Sequence, residues 1–208
     1  MDSDTIWRHI DAERSSLADL LDGLTETQWS TPSLCPGWTV RDVAAHLAMA
    51  QSRVGDVVGP MLRSGFSMDR MIRQSAVTSP LGHDEITRTL RGFVGSRRRA
   101  PFVQETEPLL DILVHGQDIC LPLGLDRPMP LDAARVAADR MVTLNRRPVV
   151  RLRPSLRGVR LEATDTDWST GTGTTVRGPM RALVMVVAGR GRAVTRELSG
   201  DVSAAVGA

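Results

Sequence analysis

The chain has 208 residues and a mass of 22.6 kDa, enough for one sizeable domain or two small ones with a buried core. Hydrophobic residues make up 41% and charged residues 24%, an ordinary globular composition that argues against global disorder. The formal net charge is +2 and aromatics are 3%, so the pI near 9.0 reflects no concentrated basic platform with stacking rings, and a nucleic-acid role ranks last.

The longest uninterrupted apolar run, Ala182 to Ala188, falls well short of the roughly 20 residues of a bilayer span. The opening Met1-Asp2-Ser3-Asp4 is acidic and no apolar segment follows it, which predicts no secretory signal. The 2 cysteines form no CxxC pair, so a reducing, cytoplasmic setting is expected, with no membrane partner.

The first half reads as helix. Ile6, Ile10, Leu17, Leu20, Leu21 and Leu24 recur at three- and four-residue steps and predict a helix over 4–23, stopped at Gly23. A loop follows through Thr31-Pro32-Ser33-Leu34-Cys35-Pro36-Gly37. Thr39, three residues before Asp42, opens a second helix in the manner of a capping box. Val40, Val43, Ala44, Leu47 and Ala50 give its apolar face, and the pattern carries it to about Val58. Residues 59–82 read as a loose connection. Ile86, Leu90, Phe93 and Val94 predict a third helix from Asp84 to about Arg99, and Pro101 breaks the chain. Leu109, Leu110, Leu113, Val114 and Ile119 predict a fourth from Thr106 to Leu123, ended by Gly124. Four helices with one long connection suggest a four-helix bundle.

The second half changes character near Arg127-Pro128. A further helix, Leu131 to Asn145, precedes β-like stretches at Val149–Leu152 and Val159–Ala163. Trp168 to Val176 reads as strand–turn–strand, Pro179 to Val187 as a helix opened by proline, and Ala193 to Leu198 as a last strand. The expected organisation is therefore a helical bundle over 1–127 and a small α+β module over 128–208, α+β overall.

Histidine is scarce, with 4 in the chain: His9, His46, His83 and His115. Asp111 and His115 are four apart on the fourth helix and so project from one face. A carboxylate and an imidazole one turn apart can chelate a divalent ion, and His46 adds a third donor if the second helix packs beside the fourth. Two His and one carboxylate leave coordination positions open, which is the catalytic rather than the structural pattern for zinc. By spacing alone, a surface ion pair and a core histidine are the commoner readings of such residues.

The segment Leu34-Cys35-Pro36-Gly37-Trp38-Thr39-Val40-Arg41-Asp42-Val43-Ala44-Ala45-His46-Leu47 resembles the entry to the second helix of the mycothiol-dependent maleylpyruvate isomerase-like family, within the DinB-like bundle superfamily. Asp111-Ile112-Leu113-Val114-His115-Gly116-Gln117-Asp118, with Pro122-Leu123-Gly124, resembles that family's fourth-helix motif. Val176-Arg177-Gly178-Pro179, Ala188-Gly189-Arg190 and Gly200-Asp201 look like its closing, sterol-carrier-like segment, a looser match. The resemblance implies a divalent metal, usually zinc, on His46, Asp111 and His115. One departure stands out: the founding isomerase pattern has Glu where this chain has Asp111, one methylene shorter.

An ion with an open position can take the sulfur of a small thiol and hold it as the nucleophilic thiolate. The resemblance thus implies an enzyme using mycothiol for thiol transfer or thiol-assisted isomerisation of an electrophilic small molecule. A non-catalytic metal-binding or regulatory protein and a small-ligand binder stand as rivals. Asp118, three residues past His115, is placed either as a carboxylate behind the imidazole or as a surface acid. Cys35 and Cys120 read as structural thiols, a bridge between them being the lesser alternative, and Trp38 as a packing residue. Arg190 is a candidate contact for a substrate carboxylate. Arg146, Arg147, Arg151, Arg153, Arg157 and Arg160 form a basic run that reads as a solvated face or as a guide for an anionic substrate. The exposed faces of a short bundle can support a homodimer, though no residue specifies one.

Overall fold

In a computed structural model, residues 1–51, 64, 67–99, 103–145 and 156–206 are described. The chain divides into two compact units, Asp2–Arg127 and Pro128–Ala208.

The first unit is helical. Helix α1 (Ser3–Asp22) is capped by the Asp2 side chain on the Thr5 amide and buries Ile6, Trp7, Ile10, Leu17 and Leu21 along one stripe. A single turn, α2 (Glu26–Trp29), precedes the expected loop; Thr25 and Gln28 form a reciprocal capping box, and Trp29 is the residue it buries. Helix α3 (Val40–Ala48) opens with the capping box of Thr39 and Asp42. It closes at Met49, shorter than the apolar pattern predicts, and residues 52–58 lie outside the described set.

Helix α4 (Met68–Val77), capped by the Ser67 side chain, corrects the expectation of a loose connection. Among its described side chains only Met71 and Ala76 are strongly buried, too few to announce a stripe in sequence. Helix α5 (His83–Gly92) ends well before Arg99. Gly95 takes φ +79° just beyond it, a conformation that suits glycine. Helix α6 (Thr106–Cys120) is the longest of the later bundle helices, and Gly124 with φ +67° turns the chain after it. Helix α1 packs against α5 and α6, and α3 packs against the same two. The result is a four-helix core of α1, α3, α5 and α6, with α4 on α3.

A buried ion pair ties the end of this unit to its start. Arg127 Nη2 lies 2.5 Å from Glu13 Oε2, and Arg127 also donates to the Glu13 carbonyl and to Ser16 Oγ. Gly116 on α6 leaves the room this needs: a Cβ there would stand 2.9 Å from Arg127 Nε.

In the second unit, α7 spans Leu131–Asn145, as the periodicity predicts. The sheet has the order β2-β1-β3-β4, from β1 (Val159–Ala163), β2 (Ser169–Gly171), β3 (Thr174–Gly178) and β4 (Ser199–Gly200). β1 pairs antiparallel with β2 and parallel with β3, so the chain passes the start of β1 in the short link between β2 and β3. Gly171 and Gly173 permit that crossing, with φ +77° and +116° against the Val159 and Gly158 carbonyls. Helix α8 (Met180–Val187), with Pro179 at its N-cap, is buried nearly throughout and packs on α7, β1 and β3. The expected strand at Ala193–Leu198 is instead a 3-10 helix, Gly191–Glu197, and the edge strand is the short β4 that follows. Only Val194 and Gly191 of that stretch are buried, so no alternating strand face exists there. A short α9 (Val202–Val206) completes the unit.

The strand expected at Val149–Leu152 and Arg146, Arg147, Arg151 and Arg153 of the basic run lie outside the described residues. Arg160, at its end, contacts Glu162 and donates to Ser169 Oγ. No described helix is long and apolar enough to cross a membrane.

Candidate metal centre

The packing of α3 on α6 sets the geometry of the centre. The Thr39–Asp42 capping box fixes where α3 starts, and His46 falls in its last turn. Asp111 and His115 rise from one face of α6, one turn apart.

His46 Nε2 lies 3.6 Å from Asp111 Oδ1, and His115 Nε2 lies 3.3 Å from the same oxygen. One donor atom from each of the three falls within 4.8 Å of the others. The imidazoles meet edge to face, with ring centroids 5.0 Å apart. Two donors at zinc–nitrogen and zinc–oxygen bond lengths on one tetrahedral ion stand about 3.4 Å apart. The measured spacings suit that arrangement, and two imidazoles with one carboxylate are borderline donors fitting a divalent first-row ion.

The outer side of His115 is also occupied. Asp118, fully buried, holds Oδ2 at 2.8 Å from His115 Nδ1, so this nitrogen donates and Nε2 is the one that faces Asp111. Cys35 Sγ donates to that same Oδ2 at 3.1 Å and stands 3.7 Å from His115 Nδ1. Cys35, His115 and Asp118 thus make a second cluster of donor atoms, sharing His115 with the first. The loop carrying Cys35 is pinned to α6 a second time, because the Leu34 amide donates to the Asp118 carbonyl.

Electrostatics couples the side chains of the centre. Burial opposes ionisation of Asp111, but His46 and His115 outweigh it and hold its carboxyl well below the usual carboxylate range. Burial likewise opposes charge on His115, yet Asp111, then Asp118 and Cys35, outweigh it and lift the imidazole well above its ordinary value.

The structure thus brings His46, Asp111, His115 and Asp118 together. Arg190 lies in the second unit, where its Nη1 donates to the Ala188 carbonyl at 2.7 Å. Neither cysteine is in a disulfide, which sets aside a Cys35–Cys120 bridge. The two differ sharply: Cys120 is in the core, where burial pushes its thiol up to about 11, while Cys35 joins the site. Cys35 is the site residue that helical spacing does not reveal; its place in the motif just ahead of the α3 cap was the available signal. Trp38 packs 5.5 Å from the His46 ring, and its buried Nε1 has no hydrogen-bond partner among the described residues. His83 stacks on Trp29 at 4.2 Å, as a packing residue.

A helical bundle with a two-His, one-carboxylate cluster on facing helices, followed by a small α+β unit, defines the class. Residues 10–101 match the family model of the mycothiol maleylpyruvate isomerase N-terminal domain. The whole chain shares the fold of a crystal structure of a histidine-to-alanine mutant of the mycothiol-dependent maleylpyruvate isomerase, with TM-score 0.67 and 13% identity over 97% of this chain and 93% of that one. A second crystal structure of the mycothiol-dependent maleylpyruvate isomerase aligns with TM-score 0.59 and 14% identity, again over 97% of this chain and 93% of the other. No curated protein sequence matches the chain.

Proposed function

We propose that this protein is a divalent-metal enzyme that uses a small thiol, mycothiol, for thiol transfer to, or thiol-assisted isomerisation of, an electrophilic small molecule. The observation that carries the reading is the convergence of His46, Asp111 and His115 within 4.8 Å, in a chain whose N-terminal segment matches the mycothiol isomerase domain.

In this reading His46, Asp111 and His115 hold the ion, with zinc the expected metal. The ion supplies Lewis acidity that stabilises a thiolate near neutral pH. The chain's own residues do the rest. Asp118 holds the Nδ1 proton of His115, which keeps Nε2 turned inward as a donor. Asp111 supplies the negative charge that offsets part of the cation's. The tilted Trp38 ring lies against His46 and limits the rotamers open to that imidazole. Arg190 is assigned a carboxylate of the substrate, a role suited to a guanidinium fork. The reading also places the protein in the cytoplasm, with a homodimer as a permitted assembly.

The test follows both thiol consumption and cis–trans isomerisation of substrate, with mycothiol over a panel of activated alkenes and alkyl halides, with and without chelator, beside elemental analysis of the purified protein. Turnover that is lost with chelator and restored by a divalent ion is expected. Stoichiometric metal without turnover on any electrophile would establish the non-catalytic alternative, and turnover indifferent to chelator would overturn the metal assignment.

A further inference from the structure

The Asp118 side chain is sealed from solvent, and its Oδ2 receives two donors, the His115 Nδ1–H at 2.8 Å and the Cys35 thiol at 3.1 Å. The two donors come from different elements, one from α6 and one from the 33–38 loop. A donor from a second element further restricts rotation of the carboxylate about its Cα–Cβ bond.

We infer that Cys35 is a positioning residue for the metal centre: its thiol aims the Asp118 carboxylate, and through it sets the ring orientation of His115. The inference rests on the metal reading above and names a residue that reading does not use. The local geometry is built for this task. Ser33 Oγ accepts the Cys35 amide at 3.2 Å, and the Trp38 amide closes a turn on the Cys35 carbonyl at 3.0 Å. The Leu34 amide then bonds the Asp118 carbonyl at 3.1 Å, so Asp118 meets the loop through both its backbone and its side chain. The same turn places Cys35, Trp38 and the Thr39 cap of α3 in one short segment. The loop therefore touches both imidazoles: His46 through Trp38, and His115 through Cys35 and Asp118.

The thiol lies on the Nδ1 side of His115, whereas the three proposed ligands converge on the Nε2 side. Cys35 is accordingly a hydrogen-bond donor behind the centre and supplies no sulfur to the ion bound by the other three.

The test compares wild type with Cys35→Ser, which keeps a donor, and Cys35→Ala, which removes it. Zinc affinity is measured by competition with a chromophoric chelator, and the full-length variants are first matched for helical content. The expected result is a loss of roughly 10-fold for Cys35→Ala, in the range typical of partners behind metal-bound imidazoles, with Cys35→Ser within about 3-fold of wild type. Equal affinities in all three, or Cys35→Ser as weak as Cys35→Ala, overturn the inference. Cobalt loading gives a second arm: a thiolate-to-cobalt charge-transfer band in wild type that vanishes in Cys35→Ser would make Cys35 a ligand instead. A third arm needs no metal. The proton on His115 Nδ1 in chelator-treated protein should be slow to exchange by NMR in wild type and Cys35→Ser, and exchange-broadened in Cys35→Ala. Failure of zinc binding in wild type would strike the metal reading alone, and an Nδ1 proton indifferent to all three side chains would strike the positioning role alone.

Discussion

Asp111 Oδ1 stands 3.3 Å from Nε2 of His115, one helical turn further along α6, and the same oxygen is within 3.6 Å of His46 on the facing helix. One carboxylate oxygen thus sits between two imidazole nitrogens. Removing either imidazole leaves a two-point site, so His46→Ala and His115→Ala should each lower zinc affinity by at least about 100-fold, a few kcal/mol of binding free energy. Asp111→Asn, which keeps the shape and deletes the charge, should weaken it by about 10-fold or more. Competition titration with a chromophoric chelator measures all three, and near-wild-type affinity in His46→Ala would remove the assignment.

The charge pair within the centre makes the metal-free protein sensitive to pH, with a definite sign. His115 has a folded value raised above its ordinary 6.5, so its stabilising effect is complete below that value and fades as pH climbs through the raised one. Asp111 has a folded value depressed below its ordinary 3.8, so its effect is complete above that value and fades only in stronger acid. Chelator-treated protein should therefore melt at its highest temperature between about pH 4 and 6.5 and lose stability above that window. His115→Gln should flatten the alkaline side of the curve. Zinc affinity should run the other way, rising with pH as the imidazole gives up its proton.

Arg127 and Glu13 form a buried pair, with side-chain exposures of 6% and 11%. Arg127→Met leaves the Glu13 carboxylate buried without its cation and should destabilise the protein by about 3 kcal/mol, read by urea denaturation. The double substitution Glu13→Leu with Arg127→Met should recover most of that loss, since it removes both charges together. Gly116→Ala on α6 should cost about 1–3 kcal/mol, because the new methyl meets the same Arg127 side chain, which its bonds to Glu13 and Ser16 hold in place.

Helix α3 owes its starting point to a reciprocal pair of bonds: the Thr39 hydroxyl on the Asp42 amide, and the Asp42 carboxylate on the Thr39 amide. Thr39→Ala should cost about 1 kcal/mol by thermal melting. It should also weaken zinc by several-fold, because fraying from this end lets His46 drift.

Gly171 passes beside β1 with φ +77°, where a Cβ would collide with the Val159 carbonyl. Gly171→Ala should destabilise the second unit by at least about 2 kcal/mol, combining left-handed strain with the clash. Zinc affinity of the folded protein should be unchanged, since every proposed ligand lies in the first unit.

Local chemistry made much of this fold legible from residues alone. Helices α1, α6 and α7 declare themselves because each buries a stripe several turns long, and the caps at Thr39 and Pro179 are written in single side chains. The i, i+4 pairing of Asp111 and His115 is likewise a property of one helix. The elements that sequence misplaced are the ones whose reasons are not local. Helix α4 buries too little to show a period; α5 stops where the chain reaches Gly92 and Gly95; residues 191–197 wind as a 3-10 helix because β4 supplies the sheet edge beside β3.

Only tertiary packing could say that His46 meets Asp111 and His115, since no spacing along the chain encodes which face of α3 turns toward α6. The same packing converts Cys35 from one of two unremarkable thiols into a donor on Asp118, and leaves Cys120, just past the same motif, sealed in the core. Sequence sets which groups a helix presents, because that depends on a fixed rotation per residue. Which groups from different helices share an ion or a carboxylate depends on how apolar stripes seat against one another, and that is decided by the whole core at once.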